Sequence, residues 1–206
     1  MPYRKTDKVI EFLTRQYIRI FRKAKSISGF DELNVIQLTH EIYDSAVKIT
    51  QSEMIRLAEV VYKQNRTQTD TGVETEFGIE WLLAIIGEYS PVTGYIYTNE
   101  VERKRARLAE TIIPLRDNRQ KVVEEVNRAL RAFCGMNKQL ADDVTLSAMI
   151  QAIEDDGYEY VEWITYEDEK RCGVCKKLDG QIFRIDSIPP KPHRYCRCYV
   201  RGVIND

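Results

Sequence analysis

Four of the chain's five cysteines, and one of its two histidines, lie between Arg171 and Cys198. Written as spacing, the stretch is C-x2-C, seventeen residues, then H-x2-C-x-C, over Cys172, Cys175, His193, Cys196 and Cys198. Thiols and imidazole crowded this way share a metal, form disulfides, or do redox chemistry. Two residues between Cys172 and Cys175 let both sulfurs face one ion from a tight turn, and a second pair from a distant turn completes a tetrahedron. Five candidates compete for four places. Cys196 and Cys198 both bind if their segment is extended, and only one binds if it turns. The other readings are buried thiols packed in a small core and a disulfide set formed in an oxidising setting.

No apolar run is long enough to span a bilayer; the longest is Trp81 to Ile86. Residues 1–8 lack the apolar stretch of a secretory leader, so a reducing cytosol is the expected place of synthesis, where clustered cysteines favour metal over disulfides. The formal net charge of −1 hides blocks of one sign. Residues 139–169 carry ten acids and no Lys or Arg, while residues 170–201 carry nine Lys or Arg against two Asp. These blocks are expected to meet each other, in one chain or between neighbours. A basic run at 101–110 is offset by its own glutamates and reads as a solvated helix face.

The rest of the chain reads as helix. Val9, Ile10, Leu13, Tyr17, Ile20, Phe21 and Ala24 recur at three and four, ending near Gly29. Asp31 is the expected N-cap of a second helix running to about Asn65. Residues 67–78 are a Thr- and Gly-rich linker, and a short apolar helix over 79–87 follows. Asn99 and Glu102 have capping-box spacing for a helix over 100–113, broken by Pro114. Two more helices are expected, one from Asp117 to Cys134 with Gly135 as its stop, and one from Asp142 or Asp143 to Gly157. Beyond Gly157 the segments YEYVEWITY, LDGQIFRI and CYVRGVI read as strands, with a hairpin at Asp179-Gly180 bringing Cys175 back towards His193 and Cys196. The expected fold is therefore mainly α with a small β-rich, zinc-stapled C-terminal unit. Its parts are a helical arm (1–66), a linker (67–78), a helical region (79–157) and the Cys/His module (158–206).

Catalytic metal motifs are missing: there is neither His-x-Glu before Pro-Cys-x-x-Cys nor His-Glu-x-x-His. No βαβ pattern surrounds Cys172-Cys175, which sets aside a thioredoxin-like reading. His40 is expected to be an ordinary helix residue and Cys134 a small buried hydrophobe.

The segment from about Ala141 to Val203 resembles the C-terminal region of the phage Mu F-like minor head proteins, also known as phage head morphogenesis proteins. The shared pattern is Trp163, Thr165, Asp168, Cys172, Cys175, Leu178, Asp179, Gly180, Pro192, His193, Cys196, Arg197 and Cys198. The resemblance implies a non-enzymatic minor component of a tailed-phage or prophage head, made in the bacterial cytoplasm and carried in the procapsid or virion. It implies portal, capsid or scaffold proteins as partners, with self-association on the portal. The alternative is a zinc-containing nucleic-acid-binding protein acting in packaging or delivery, with Arg194, Arg197 and Arg201 touching DNA.

Overall fold

The computed structural model describes residues 3–66, 82, 89–90, 95–166 and 172–204. Helix α1 (Arg4–Phe21) turns Leu13, Tyr17 and Phe21 inward and runs into a 3-10 turn over Arg22–Lys25. Asp31 caps α2 (Glu32–Asn65) as expected, accepting from the Asn34 amide at 2.8 Å. The apolar face of α2, with Val35, Ile42, Ala46, Leu57 and Val61 buried, covers α1.

A two-residue pair, β1 (Tyr89–Ser90) with β2 (Tyr95–Ile96), leads into α3 (Tyr97–Ile112). Helix α3 starts earlier than the capping-box spacing suggests. Asn99 lies inside its first turn, and Glu102 pairs with Arg105 instead of capping. Pro114 does end α3, within a 3-10 turn over Ile113–Leu115. The expected linker and the helix over 79–87 lie outside the described residues except for Leu82, which is buried in the main core.

The two helices expected next are one. Helix α4 (Arg119–Asp155) is continuous over 37 residues, with Asn118 as its N-cap. Gly135 sits inside it, where an added Cβ would stand 3.0 Å from the Tyr195 hydroxyl. Asp142 and Asp143, expected as caps, are instead buried in mid-helix. The stop is Gly157, whose φ of +83° takes the left-handed turn that ends helices.

Helices α1 to α4 pack around one aromatic knot. Phe133 of α4 meets Tyr17 edge-on at 4.9 Å and Tyr43 at 5.3 Å, with Phe21 beside it. The end of α4 also carries a second, smaller core of Leu146 and Ile153 with Val161, Trp163, Val200 and three cysteines. This core underlies a three-stranded antiparallel sheet in the order β4 (Ile182–Arg184), β3 (Tyr160–Ile164), β5 (Tyr199–Val203). A one-and-a-half-turn helix, α5 (Gly173–Leu178), connects β3 to β4. The fold is thus mainly helical with a small C-terminal sheet beside a Cys/His cluster, as the sequence implied.

Candidate metal centre

Cys172 is the N-cap of α5, and the Cys175 amide donates to its sulfur at 3.3 Å. That turn sets the two sulfurs 3.3 Å apart, too far for a disulfide bond of about 2.05 Å. All five cysteines are free thiols. His193 and Cys196 form a second tight turn, closed by the Cys196 amide donating to the His193 carbonyl at 3.3 Å. Its side chains come over Cys175: His193 Nε2 lies 3.3 Å from the Cys175 sulfur, and Cys196 Sγ lies 3.8 Å away. Two sulfurs on one zinc at about 2.3 Å in a tetrahedron stand about 3.8 Å apart, so these separations fit a shared ion.

The donors form two groups, Cys172–Cys175–His193 and Cys175–Cys196–Cys198, and Cys175 belongs to both. Each of the five predicted ligands therefore belongs to a group able to hold a metal ion, and the two groups share Cys175. The route differs from the expected hairpin. Leu178 ends α5, and Asp179-Gly180 closes onto β3 instead. Asp179 Oδ1 accepts from the Thr165 amide at 2.7 Å, and the Gly180 amide donates to the Trp163 carbonyl at 2.8 Å. Thr165 Oγ1 in turn donates to the Cys175 carbonyl at 2.9 Å, pinning the first knuckle to the strand.

The chemistry of the donors favours a cation. His193 Nδ1 lies 2.8 Å from the Arg194 carbonyl, which only accepts, so Nδ1 carries the proton and the Nε2 lone pair faces the sulfurs. Cys175, Cys196 and Cys198 are buried, Cys172 is half-buried and His193 is exposed. A hydrogen bond from Cys196, helped by Cys175, brings the Cys198 thiol down to about 5, against the cost of its burial. Burial, with Cys172 and Cys198 beside it, pushes Cys175 up to about 12. Cys196 is raised by its bond to Cys198 and by burial. The Cys175 amide lowers Cys172 as well, so Cys198 and Cys172 are the more acidic thiols of the cluster and Cys175 and Cys196 the less acidic ones. Trp163 Nε1, fully buried, has no hydrogen-bond partner among the described residues and packs in the same small core as the sulfurs.

His40 is exposed on α2, and Cys134 is half-buried against the main core; neither joins a metal-type group among the described residues. Asp168 lies outside the described residues. The basic block around the cluster does meet acids. Lys191 Nζ, buried, donates to the Asp142 carbonyl at 2.8 Å and lies 3.6 Å from Asp143 Oδ1. Arg201 pairs with Glu162 at 2.5 Å. Arg197 pairs with Asp7 at 2.8 Å and lies over the rings of Tyr3 and Tyr166 at 5.2 and 5.3 Å. Of the three arginines expected to touch DNA, only Arg194 has no acid partner among the described residues.

A second buried layer behind the cysteines was not legible in the sequence. Tyr3 donates to the Cys198 carbonyl at 2.9 Å, tying the start of α1 to the module. Gln139 holds the Tyr195 amide at 2.7 Å and the Asp143 carboxylate at 2.9 Å. The paired Asp142-Asp143 was the available signal, and it also resembles a helix start.

The class defined is a helical bundle with a C-terminal sheet module built around a Cys/His cluster suited to metal. No protein-family model matches the chain, and no curated protein or solved structure shows significant similarity to it.

Proposed function

We propose that the cluster is a structural zinc site, and that the chain is a non-enzymatic assembly protein of a tailed-phage head that docks on portal or procapsid proteins. The observation carrying the metal reading is the convergence of two Cys/His turns on Cys175. Sulfur and imidazole donors, with no carboxylate among them, are what zinc takes in closed structural sites. Cys172, Cys175 and His193 would supply three ligands, and Cys196 or Cys198 the fourth. Zinc there would contribute about 10 kcal/mol or more of folding free energy to a sheet of only three short strands.

The head-protein reading rests on the resemblance, and the local roles of its pattern residues support it. Thr165, Asp179 and Gly180 fix the first knuckle. Arg197 locks the module to α1. An apolar tip supports docking: Phe30, Leu33 and Ile36 are exposed at the start of α2, Leu33 by 72%. The test is co-expression with the portal protein of the same genome. The expected result is a complex that survives size exclusion and is lost in Leu33→Asp. A folded, metal-replete chain that elutes apart from portal and procapsid alike would refute the assembly role.

A further inference from the structure

Two neighbouring cavities run along the line where α3 meets α4. The first, of about 350 Å³, is lined by Arg103, Lys104, Arg107 and Arg128 over a floor that includes Tyr43 and Leu108. The second, of about 250 Å³, is lined by Lys104, Arg131 and Arg194, with Met136 and Tyr195. Lys104 and Ala132 belong to both, so the two form one groove. Its walls carry six cations and two carboxylates, Glu100 and Glu125, in a chain whose formal net charge is −1. Glu100 is taken up by Arg103 and Lys104, and Glu125 by Arg128. Arg107, Arg131 and Arg194 have no acid partner among the described residues, while Lys138, beyond the groove's end, makes no ion pair there but faces the Asp142 carboxyl.

Helical spacing makes the charge a track. Arg128, Arg131, Gly135 and Lys138 step by three, four and three along α4, about 15 Å at 1.5 Å per residue. Arg103 and Arg107 line the facing side of α3. At the end of the track stands Tyr195, 44% exposed, with Lys138 Nζ 5.5 Å from its ring centre. Its φ of +60° is the only positive value outside glycine among the described residues. Such backbone is costly for a tyrosine and is held here by Gln139 on its amide. The missing side chain at Gly135 makes room for its hydroxyl. An aromatic ring beside a row of cations, several of them without an acid partner, is the arrangement that receives a nucleic-acid strand, with phosphates on the cations and a base against the ring. A nucleotide-sized concavity admits a single strand, whereas a duplex presents its phosphates on a convex surface.

We infer that the α3–α4 groove binds single-stranded nucleic acid through Arg107, Arg131, Lys138 and Arg194, with Tyr195 as its aromatic end. None of these side chains is a donor of the Cys/His cluster, although Arg194 and Tyr195 ride on the His193–Cys196 turn.

The test is fluorescence anisotropy of a labelled 20-nucleotide oligo-dT with the full, folded chain. Four phosphate contacts predict a slope of log K against log salt of about −3, or about a 50-fold loss between 50 and 200 mM salt. Arg107→Glu with Arg131→Glu, both exposed, is expected to weaken binding at least tenfold with an unchanged circular dichroism spectrum. Lys23→Glu with Lys48→Glu, exposed cations outside the groove, makes the same change in net charge and is expected to leave most of the affinity. Equal loss in the two double variants would overturn the groove assignment. So would no binding by the wild type at 50 mM salt. Tighter binding of a duplex of equal length, or binding of polyglutamate in place of the oligonucleotide, would overturn the single strand as occupant.

Discussion

Lys191→Met removes the buried ammonium that faces both Asp142 and Asp143, leaving Asp142 the more distant charges of Lys138 and Arg197. The Lys191 and Asp143 side chains are each about 1% exposed, and one oxygen of each aspartate has no hydrogen-bond partner. Methionine keeps most of the stem volume, so the change is chiefly electrostatic. Stranding a buried carboxylate costs about 3–5 kcal/mol. For a chain of this size that lowers the melting temperature by about 10 °C. The pH dependence separates this from a packing defect. Burial raises both carboxyls from 3.8 to about 6, while Lys191 opposes the rise. The native state therefore holds these protons more tightly than the unfolded chain does, and stability falls as pH climbs from about 4 through 6. Without the lysine both carboxyls rise further. Near pH 4.5 they are protonated in variant and wild type alike, and the penalty should shrink to about 1 kcal/mol for the lost hydrogen bond. Urea unfolding of both proteins at pH 7.5 and 4.5, taken as a difference at each pH, cancels titrations common to the two. Adding Asp143→Asn should recover part of the loss at pH 7.5. A penalty equal at both pH values, or below about 1 kcal/mol at pH 7.5, would refute the electrostatic account.

Phe133→Ala, which empties the aromatic knot between α1, α2 and α4, should cost about 3–5 kcal/mol in urea unfolding. Gly202→Ala should cost about 1–3 kcal/mol, because its Cβ would lie 2.9 Å from the Tyr158 ring and 3.0 Å from Ile153. Gly135→Ala meets only the movable tip of Tyr195, and the gain in helix propensity should leave it neutral or up to about 1 kcal/mol more stable. Zinc binding near pH 7.5 should release protons, and about one more if Cys196 is a ligand than if Cys198 takes its place, since Cys196 is held as the thiol and Cys198, at about 5, is already ionised. Calorimetry in buffers of different ionisation enthalpy counts them, and affinity should fall as the pH is lowered.

Local chemistry was legible wherever one residue decides the backbone. Asp31 caps through its carboxylate, Pro114 interrupts through its ring, and Gly157 stops because it lacks a Cβ. The clustering of the five Cys/His side chains was legible too, because thiol and imidazole spacing carries its own geometry. What failed depended on contacts distant in sequence. Gly135 looks like a helix stop until Tyr195, sixty residues on, occupies the space over it. Asp142 and Asp143 look like caps until Lys191 enters from the C-terminal loop. Asp179-Gly180 looks like a hairpin, but β4 pairs with β3 across α5, and the turn serves the ends of α5 and β3. Tyr3, outside every periodic pattern, is buried because Arg197 and the Cys198 carbonyl come to it.

The most direct test of the central claim is zinc content by native mass spectrometry of the reduced, purified chain and of Cys175→Ser, the position common to both donor groups. The account predicts one zinc per wild-type chain. It predicts none in the variant, with amide protection lost across β3, β4 and β5 and kept in α1 and α2. A wild-type chain that stays folded through β5 with no bound metal, or a variant that keeps its zinc, would contradict it.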